Sequence, residues 1–262
     1  MNNAKTFTDK LNQGKICLGT GISITDPVVT EALAGDFDFF WIDMEHTILS
    51  VENVRSHLMA MRGSECTALV RVPWNDPVLI KPVLDIGADG IIVPMAQTAA
   101  DVEQAVAACR YPPDGVRGFG PLRPLEYGRR NVADFCQEAN ESLLTVVQIE
   151  QAAAVENIDE ILAVDGLTSV AFGPNDLAAS LGHRADTRHP DVIQAMQHVI
   201  DHANAANIPV GISVGDDITH LCELLDMGVQ WLSIGVEIFL MRRGATDITG
   251  KVRNYLKKRQ ES

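Results

Sequence analysis

Glu150 closes the run Leu-Leu-Thr-Val-Val-Gln-Ile-Glu, and Asp176 follows Ser-Val-Ala-Phe-Gly-Pro-Asn; both runs are apolar and β-branched, as buried parallel strands are. Carboxylates at the ends of neighbouring strands repel each other strongly in a low-dielectric setting, and a divalent cation with oxygen ligands is the simplest relief. Two side chains fill only part of the shell of Mg²⁺ or Mn²⁺, which leaves positions for water or substrate oxygens. The competing reading of Glu150 is a buried structural ion pair.

Further polar residues stand at strand ends: Asp43, Glu45 and His46 after the second apolar run, Arg71 at the end of the third, Gln148 in the fifth and Asn175 after the sixth. Strand alternation puts Gln148 and Glu150 on one face and Ile149 on the other. His46, within Asp-Met-Glu-His, has the chemistry of a proton acceptor near neutral pH. Arg71 is suited to stabilising an oxygen that gains charge in a transition state, or alternatively to a buried pair with an acid. The turn Gly173-Pro-Asn-Asp-Leu177 opens a helix whose first N–H groups, at Asn175 and Asp176, suit a carboxylate, so Gly173, Asn175 and Asp176 are candidate substrate contacts.

What is missing narrows the chemistry. No lysine falls on an inner strand, which removes Schiff-base catalysis and leaves a metal as electron sink. His183 and His189 lie in a polar loop, and His198 and His202, four apart on a helix, read as a solvated face, so a tight zinc site is not expected. No glycine-rich phosphate loop is present, and neither nicotinamide nor nucleotide cofactors are indicated.

These residues need a scaffold that brings many strand ends together. Eight short apolar runs, beginning near Ile16, Phe39, Ala68, Gly90, Leu144, Ser169, Pro209 and Trp231, alternate with helical segments, the pattern of a (β/α)₈ TIM barrel of the α/β class. Glycine stops a helix shortly before a strand at Gly87 and again at Gly228. Asp101 is the expected N-cap of the helix after strand four, and a helix is expected from Asp191 to Asn204. No linker divides residues 1–262, so one barrel domain is expected. Residues 111–130, rich in proline, glycine and arginine, are expected to cross the mouth as a lid presenting Arg117 or Arg123 to an anion, or else to form a surface loop or subunit contact. The basic stretch Lys251–Arg259 reads as a helix end.

A net charge of -14 argues against a nucleic-acid partner. Five scattered cysteines form no disulfide framework, and no apolar run is long enough for a membrane or a leader, so a cytoplasmic location is expected.

Trp-Ile-Asp-Met-Glu-His (41–46), Val-Arg-Val-Pro (70–73), Leu-Asp-Ile-Gly-Ala-Asp-Gly-Ile-Ile-Val-Pro (84–94), Arg-Gly-Phe-Gly-Pro (117–121), Gln-Ile-Glu (148–150) and Gly-Pro-Asn-Asp-Leu (173–177) together resemble the HpcH/HpaI aldolase family over nearly the whole chain. The resemblance implies a class II pyruvate aldolase of the phosphoenolpyruvate/pyruvate superfamily, which cleaves 4-hydroxy-2-oxo acids to pyruvate and an aldehyde through a metal-bound enolate. It implies Glu150 and Asp176 as ligands of Mg²⁺, Mn²⁺ or Co²⁺, His46 as base, Arg71 as enolate stabiliser, and Gln148 with the Asn175 and Asp176 backbone as pyruvate contacts. It also assigns Asp85 to raising the basicity of the histidine. Chain order objects, because Asp85 ends a helix at the far end of its own barrel; either a neighbouring subunit supplies it or Asp43 is the partner. The resemblance further implies a homo-oligomer, commonly a hexamer with helix exchange. Alternatives are oxaloacetate decarboxylation, acyl-CoA ester cleavage, and a non-catalytic 2-oxo-acid-binding protein.

Overall fold

The structure, a computed structural model, describes residues 3–260. Its strands are β1 (Cys17–Ile22), β2 (Phe39–Asp43), β3 (Thr67–Arg71), β4 (Gly90–Val93), β5 (Leu144–Ile149), β6 (Ser169–Phe172), β7 (Val210–Val214) and β8 (Trp231–Val236). The helices are α1 (Ala4–Asn12), α2 (Val28–Leu33), α3 (Val51–Ala60), α4 (Pro77–Asp85), α5 (Ala99–Cys109) and α6 (Val132–Ser142). They continue as α7 (Ala152–Glu156), α8 (Ile158–Leu162), α9 (Pro174–Ser180), α10 (Pro190–Ala205), α11 (Ile218–Met227) and α12 (Glu237–Gln260). All strand pairings are parallel and follow chain order, and β8 closes on β1, so the expected (β/α)₈ barrel is the fold.

Period-two alternation splits the core into two layers. Ile42, Val70, Ile91, Val147, Ile149 and Val170 pack outward with the helices, whereas Phe39, Trp41, Leu69, Ile92, Leu144, Val146, Ala171 and Trp231 fill the barrel. Phe39 and Trp231 meet edge to face at 5.4 Å, and Phe7 of α1 closes the lower end against both, at 5.5 and 5.9 Å. Gly211 makes room for this plug, since a Cβ there would lie 1.9 Å from the Trp231 indole. Continuing the inward parity up each strand leads from Trp41 to Asp43, from Leu69 to Arg71, and from Val146 to Gln148 and Glu150. The apolar plug below and the polar cluster above are thus one alternation read at two heights.

The glycine stops are found as expected, with left-handed backbone at Gly87 (φ 93°) and Gly228 (φ 107°). Two expectations are corrected. Thr98, not Asp101, is the N-cap of α5; Asp101 is the third helical residue and returns its carboxylate to the Thr98 backbone N–H in a capping box. The 111–130 segment does not cross the mouth. Arg117 pairs with Asp85 at the end of α4 (2.9 Å), and Arg123 donates to the carbonyls of Ile86 (3.0 Å) and Leu58 (2.7 Å). A helix after a parallel strand runs antiparallel to it, so α3, α4 and α5 all end at the base of the barrel, and the loop leaving α5 stays there.

Candidate active site

The register Asp43↔Arg71 places these two side by side at the top of β2 and β3. Arg71 grips Asp43 with a two-point fork, Nε to Oδ1 at 2.9 Å and Nη2 to Oδ2 at 2.6 Å, and its guanidinium lies 5.4 Å from the Trp41 ring centre. The third nitrogen, Nη1, faces the mouth, 3.3 Å from Gln148 Oε1 and 3.1 Å from Glu45 Oε2. The pair with an acid, held above as the alternative for Arg71, is therefore present, and it fixes the guanidinium while leaving one edge toward the mouth.

After β2 the chain turns tightly: Asp43 Oδ1 accepts the backbone N–H groups of Glu45 (3.0 Å) and His46 (3.3 Å), and the Thr47 hydroxyl donates to the Asp43 carbonyl. The turn sends Glu45 inward and leaves the His46 ring 62% exposed. His46 Nε2 lies 3.6 Å from Glu45 Oε2. Within one chain the carboxylate beside the imidazole is thus Glu45, since both oxygens of Asp43 are taken by Arg71 and Asp85 is held by Arg117 at the opposite end of the barrel.

Glu150 is buried, and its hydrogen-bond partners are neutral: the Met95 backbone N–H donates to Oε1 at 2.6 Å and the Gln148 amide donates to Oε2 at 3.0 Å. Met95 holds a left-handed backbone (φ 59°) to aim that N–H, a strain of about 1–3 kcal/mol for a residue with a Cβ. The Gly173 backbone passes so close that a Cβ on it would lie 2.1 Å from Glu150 Oε2. Burial pushes the Glu150 carboxyl up to about 7, with the charges of Glu45 and Asp176 adding to the rise and the Met95 N–H and Arg71 opposing it. Glu45 is also raised, by burial first and then by Asp43 and Asp176, against Arg71 and His46. Asp176 stands in the first turn of α9, whose N-cap is Gly173, and the leading N–H groups of that helix have no intrahelical acceptor.

The mouth therefore gathers four carboxylates, Asp43, Glu45, Glu150 and Asp176, around one guanidinium. Glu150 and Asp176 supply all-oxygen donors with open positions, and burial together with the neighbouring charges of Glu45 and Asp176 makes the ionised form of Glu150 costly, a cost that a nearby cation offsets, so the residues fit a hard divalent ion. The histidines elsewhere do not form a competing centre. His202 pairs with Asp159 on the outer face of α10. Ligand atoms of His183, His189 and Asp191 come within 4.8 Å of one another, the one such trio among the described residues. Their imidazoles stack at 3.4 Å with planes 11° apart, so the ring lone pairs lie in parallel planes and do not converge on one point.

Residues 23–244 match the model of the HpcH/HpaI aldolase/citrate lyase family. The chain belongs to this family. Among curated relatives it is 34% identical over 249 residues to the hydroxypyruvate/pyruvate aldolase of Roseovarius nubinhibens, covering 95% of this chain and 96% of that one. It is 36% identical over 253 residues to the 4-hydroxy-2-oxo-heptane-1,7-dioate aldolase of Klebsiella pneumoniae, covering 96% and 94%. A crystal structure of an HpcH/HpaI aldolase/citrate lyase family protein from Burkholderia cenocepacia superposes with a TM-score of 0.89 at 32% identity over 95% of this chain and 99% of that one. Membership of the HpcH/HpaI family makes this chain an enzyme of carbon–carbon bond cleavage and formation. Glu45 is among the strand-end residues the sequence offers, as the second acid of Asp-Met-Glu-His, but its place beside His46 is seen only in the structure. The Met95 N–H, a backbone group in a left-handed conformation, gives no signal in the sequence.

Proposed function

We propose that the chain is a divalent-metal-dependent aldolase that cleaves a 4-hydroxy-2-oxo acid to pyruvate, or a related 2-oxo acid, and an aldehyde. The observation that carries the reading is the convergence at one mouth of a fixed guanidinium edge, an exposed imidazole and a buried carboxylate raised to about 7. Glu150 and Asp176 would hold the cation, Mg²⁺, Mn²⁺ or Co²⁺, which when bound supplies a Lewis-acidic charge to the oxo-acid oxygens.

Gln148 and the leading N–H groups of α9, at Asn175 and Asp176, orient the substrate carboxylate and oxo group, with Gly173 leaving the space. His46 takes the proton of the C4 hydroxyl, the C3–C4 bond breaks, and its electron pair moves to the C2 oxygen as the aldehyde departs. Arg71 Nη1 faces that oxygen as it gains charge. His46 then returns the proton to C3, giving pyruvate with no net proton change. Asp43 serves as the positioning partner of Arg71, and Asp85 can reach a His46 only across a subunit contact.

We assign the protein to a homo-oligomer, hexameric by its family resemblance. The 24-residue α12 buries only its first residue and exposes Phe239, Met241, Ile248, Val252, Tyr255 and Leu256, which supports contact with a second copy. All five cysteines are free, in keeping with the cytoplasm, and among the described residues no helix is long and apolar enough to cross a membrane. The test is pyruvate release from 4-hydroxy-2-oxo acids: turnover stops on chelation with EDTA and returns with Mn²⁺ or Mg²⁺. Full activity in EDTA overturns the metal assignment, and no pyruvate from any such acid overturns the aldolase reading.

A further inference from the structure

Glu237, the first residue after β8, is fully buried, and one of its oxygens carries three bonds. Oε1 accepts the backbone N–H of Ser23 (2.6 Å), the Ser23 hydroxyl (3.0 Å) and the backbone N–H of Ile24 (2.6 Å). The carbonyl of the same Ile24 lies 2.9 Å from Nε2 of His57, a buried residue of α3 whose Nδ1 is 3.1 Å from the Thr30 hydroxyl of α2. A carbonyl only accepts, so His57 Nε2 carries the hydrogen. Ile24 is thus held by its N–H from one side and its C=O from the other, by groups from two distant parts of the chain. The end of β8 is shaped for this. Its register against β1 shifts between Gly19 and Gly21, and Gly235 is left-handed (φ 61°). Such an irregularity re-aims the residues that follow it, here bringing Glu237 over the end of β1.

The held segment, Ser23 to Asp26, leaves the top of β1 at the mouth, beside the β2 turn that carries Asp43, Glu45 and His46. Resting on the aldolase reading, the roles around the mouth leave a sector open. β2 and β3 bring the base and the guanidinium, and β5 and β6 bring the metal-binding acids and the pyruvate contacts. Outside that arc lie β7, β8 and β1, next to His46, where the fragment that departs with the C4 oxygen must extend. We infer that Glu237 and His57 are positioning residues that fix the 23–26 segment as the wall against the aldehyde half of the substrate, and that this wall sets which tails are accepted. Neither touches the reacting atoms; both act through the Ser23–Ile24 backbone. Burying a carboxylate is costly unless it is hydrogen-bonded, and the bonds that offset this cost for Glu237 are those to Ser23 and Ile24.

The experiment compares two readouts on the metal-loaded enzyme. Exchange of the pyruvate C3 protons into deuterated water needs no aldehyde, whereas cleavage of 4-hydroxy-2-oxo acids with short, long and carboxylated tails does. In Glu237→Ala, kcat/KM for the best-accepted tail drops about tenfold or more and the ratio between tails shrinks toward one, mostly through KM, while C3 exchange stays within about twofold of the parent. Glu237→Gln keeps an acceptor oxygen on Ser23 and Ile24 and retains the parent's tail ratio. His57→Ala shifts the ratio in the same direction as Glu237→Ala. Ser23→Ala removes a single bond and shifts it less, and it stands in should Glu237→Ala fail to fold. The inference is overturned if folded variants keep the parent's tail ratio, or if C3 exchange falls in step with cleavage. Absence of C3 exchange in the parent enzyme instead removes the aldolase reading, so the two failures are distinguishable.

Discussion

Gly173→Ala isolates the part of the site that the backbone, not a side chain, creates. Gly173 has φ -103° and ψ 82°, so alanine is not barred by a left-handed conformation, and the effect is steric. The added Cβ would sit 2.1 Å from Glu150 Oε2, 2.9 Å from Glu150 Cβ and 3.1 Å from Gln148 Nε2. Ordinary contact begins at 3.4 Å, so Oε2 must retreat by about 1.3 Å, which breaks its 3.0 Å bond from Gln148. Hydrogen bonds to charged groups contribute about 1.5–3 kcal/mol, which corresponds to roughly a 10- to 150-fold change in affinity. Calorimetric titration of Mn²⁺ into the two proteins is therefore expected to show affinity weaker by that factor in Gly173→Ala, and misplacement near 1 Å adds a loss of about a hundredfold in turnover. Gly35, which has open space around it and no left-handed backbone, is the control position, and Gly35→Ala leaves both measurements unchanged. Equal Mn²⁺ affinity in Gly173→Ala and the parent would show that Glu150 does not bind the ion from the place where Gly173 holds it.

Arg71→Lys keeps the charge but loses the fork to Asp43, and kcat should fall about 10²–10³-fold; a loss confined to KM would show that Arg71 binds substrate without stabilising the transition state. His46→Ala should lower cleavage about 10²–10⁴-fold and abolish C3 exchange, with an unchanged circular dichroism melt because the ring is 62% exposed; full C3 exchange in this variant would assign the base elsewhere. The Glu150 carboxyl at about 7 links ion binding to pH. The proton must leave before the ion enters, so Mn²⁺ affinity drops about tenfold per unit below pH 7 and levels above it, with one proton released per ion at low pH; a flat profile between pH 5.5 and 8 would contradict this. The sign reverses for the ion-free fold. A raised folded value means that this group's contribution to stability is complete below the unfolded value near 4.3 and is lost as pH rises through about 7. Urea unfolding in EDTA checks that direction, and Glu150→Gln should remove it.

Much of the barrel was legible because its signals are local. Eight β-branched runs and the glycine stops at Gly87 and Gly228 depend only on near neighbours, and inward parity alone puts Gln148 and Glu150 on one face. Strand-end chemistry was legible for the same reason, since a parallel barrel brings every strand end to one rim. Of the two readings of residues 111–130, a lid over the mouth or a surface loop or subunit contact, the lid conflicts with the rule that a helix after a parallel strand returns to the base, where Arg117 and Arg123 are tied. The N-cap of α5 was misjudged because Thr98 and Asp101 share a reciprocal box in which either residue type could lead.

By itself, then, the sequence determined the fold class, the ring of polar strand ends and the family, all of which rest on residue order and short-range periodicity. The tertiary structure alone decided how those groups are divided. Asp43 is tied to Arg71, Glu45 turns toward His46 while Asp85 is held at the base, Met95 twists to reach Glu150, and Glu237 closes on Ser23 across 214 positions of chain. Each of these outcomes is a contact between segments far apart in sequence, fixed by where a turn or bulge happens to aim a few atoms, and no residue pattern along one strand carries that information.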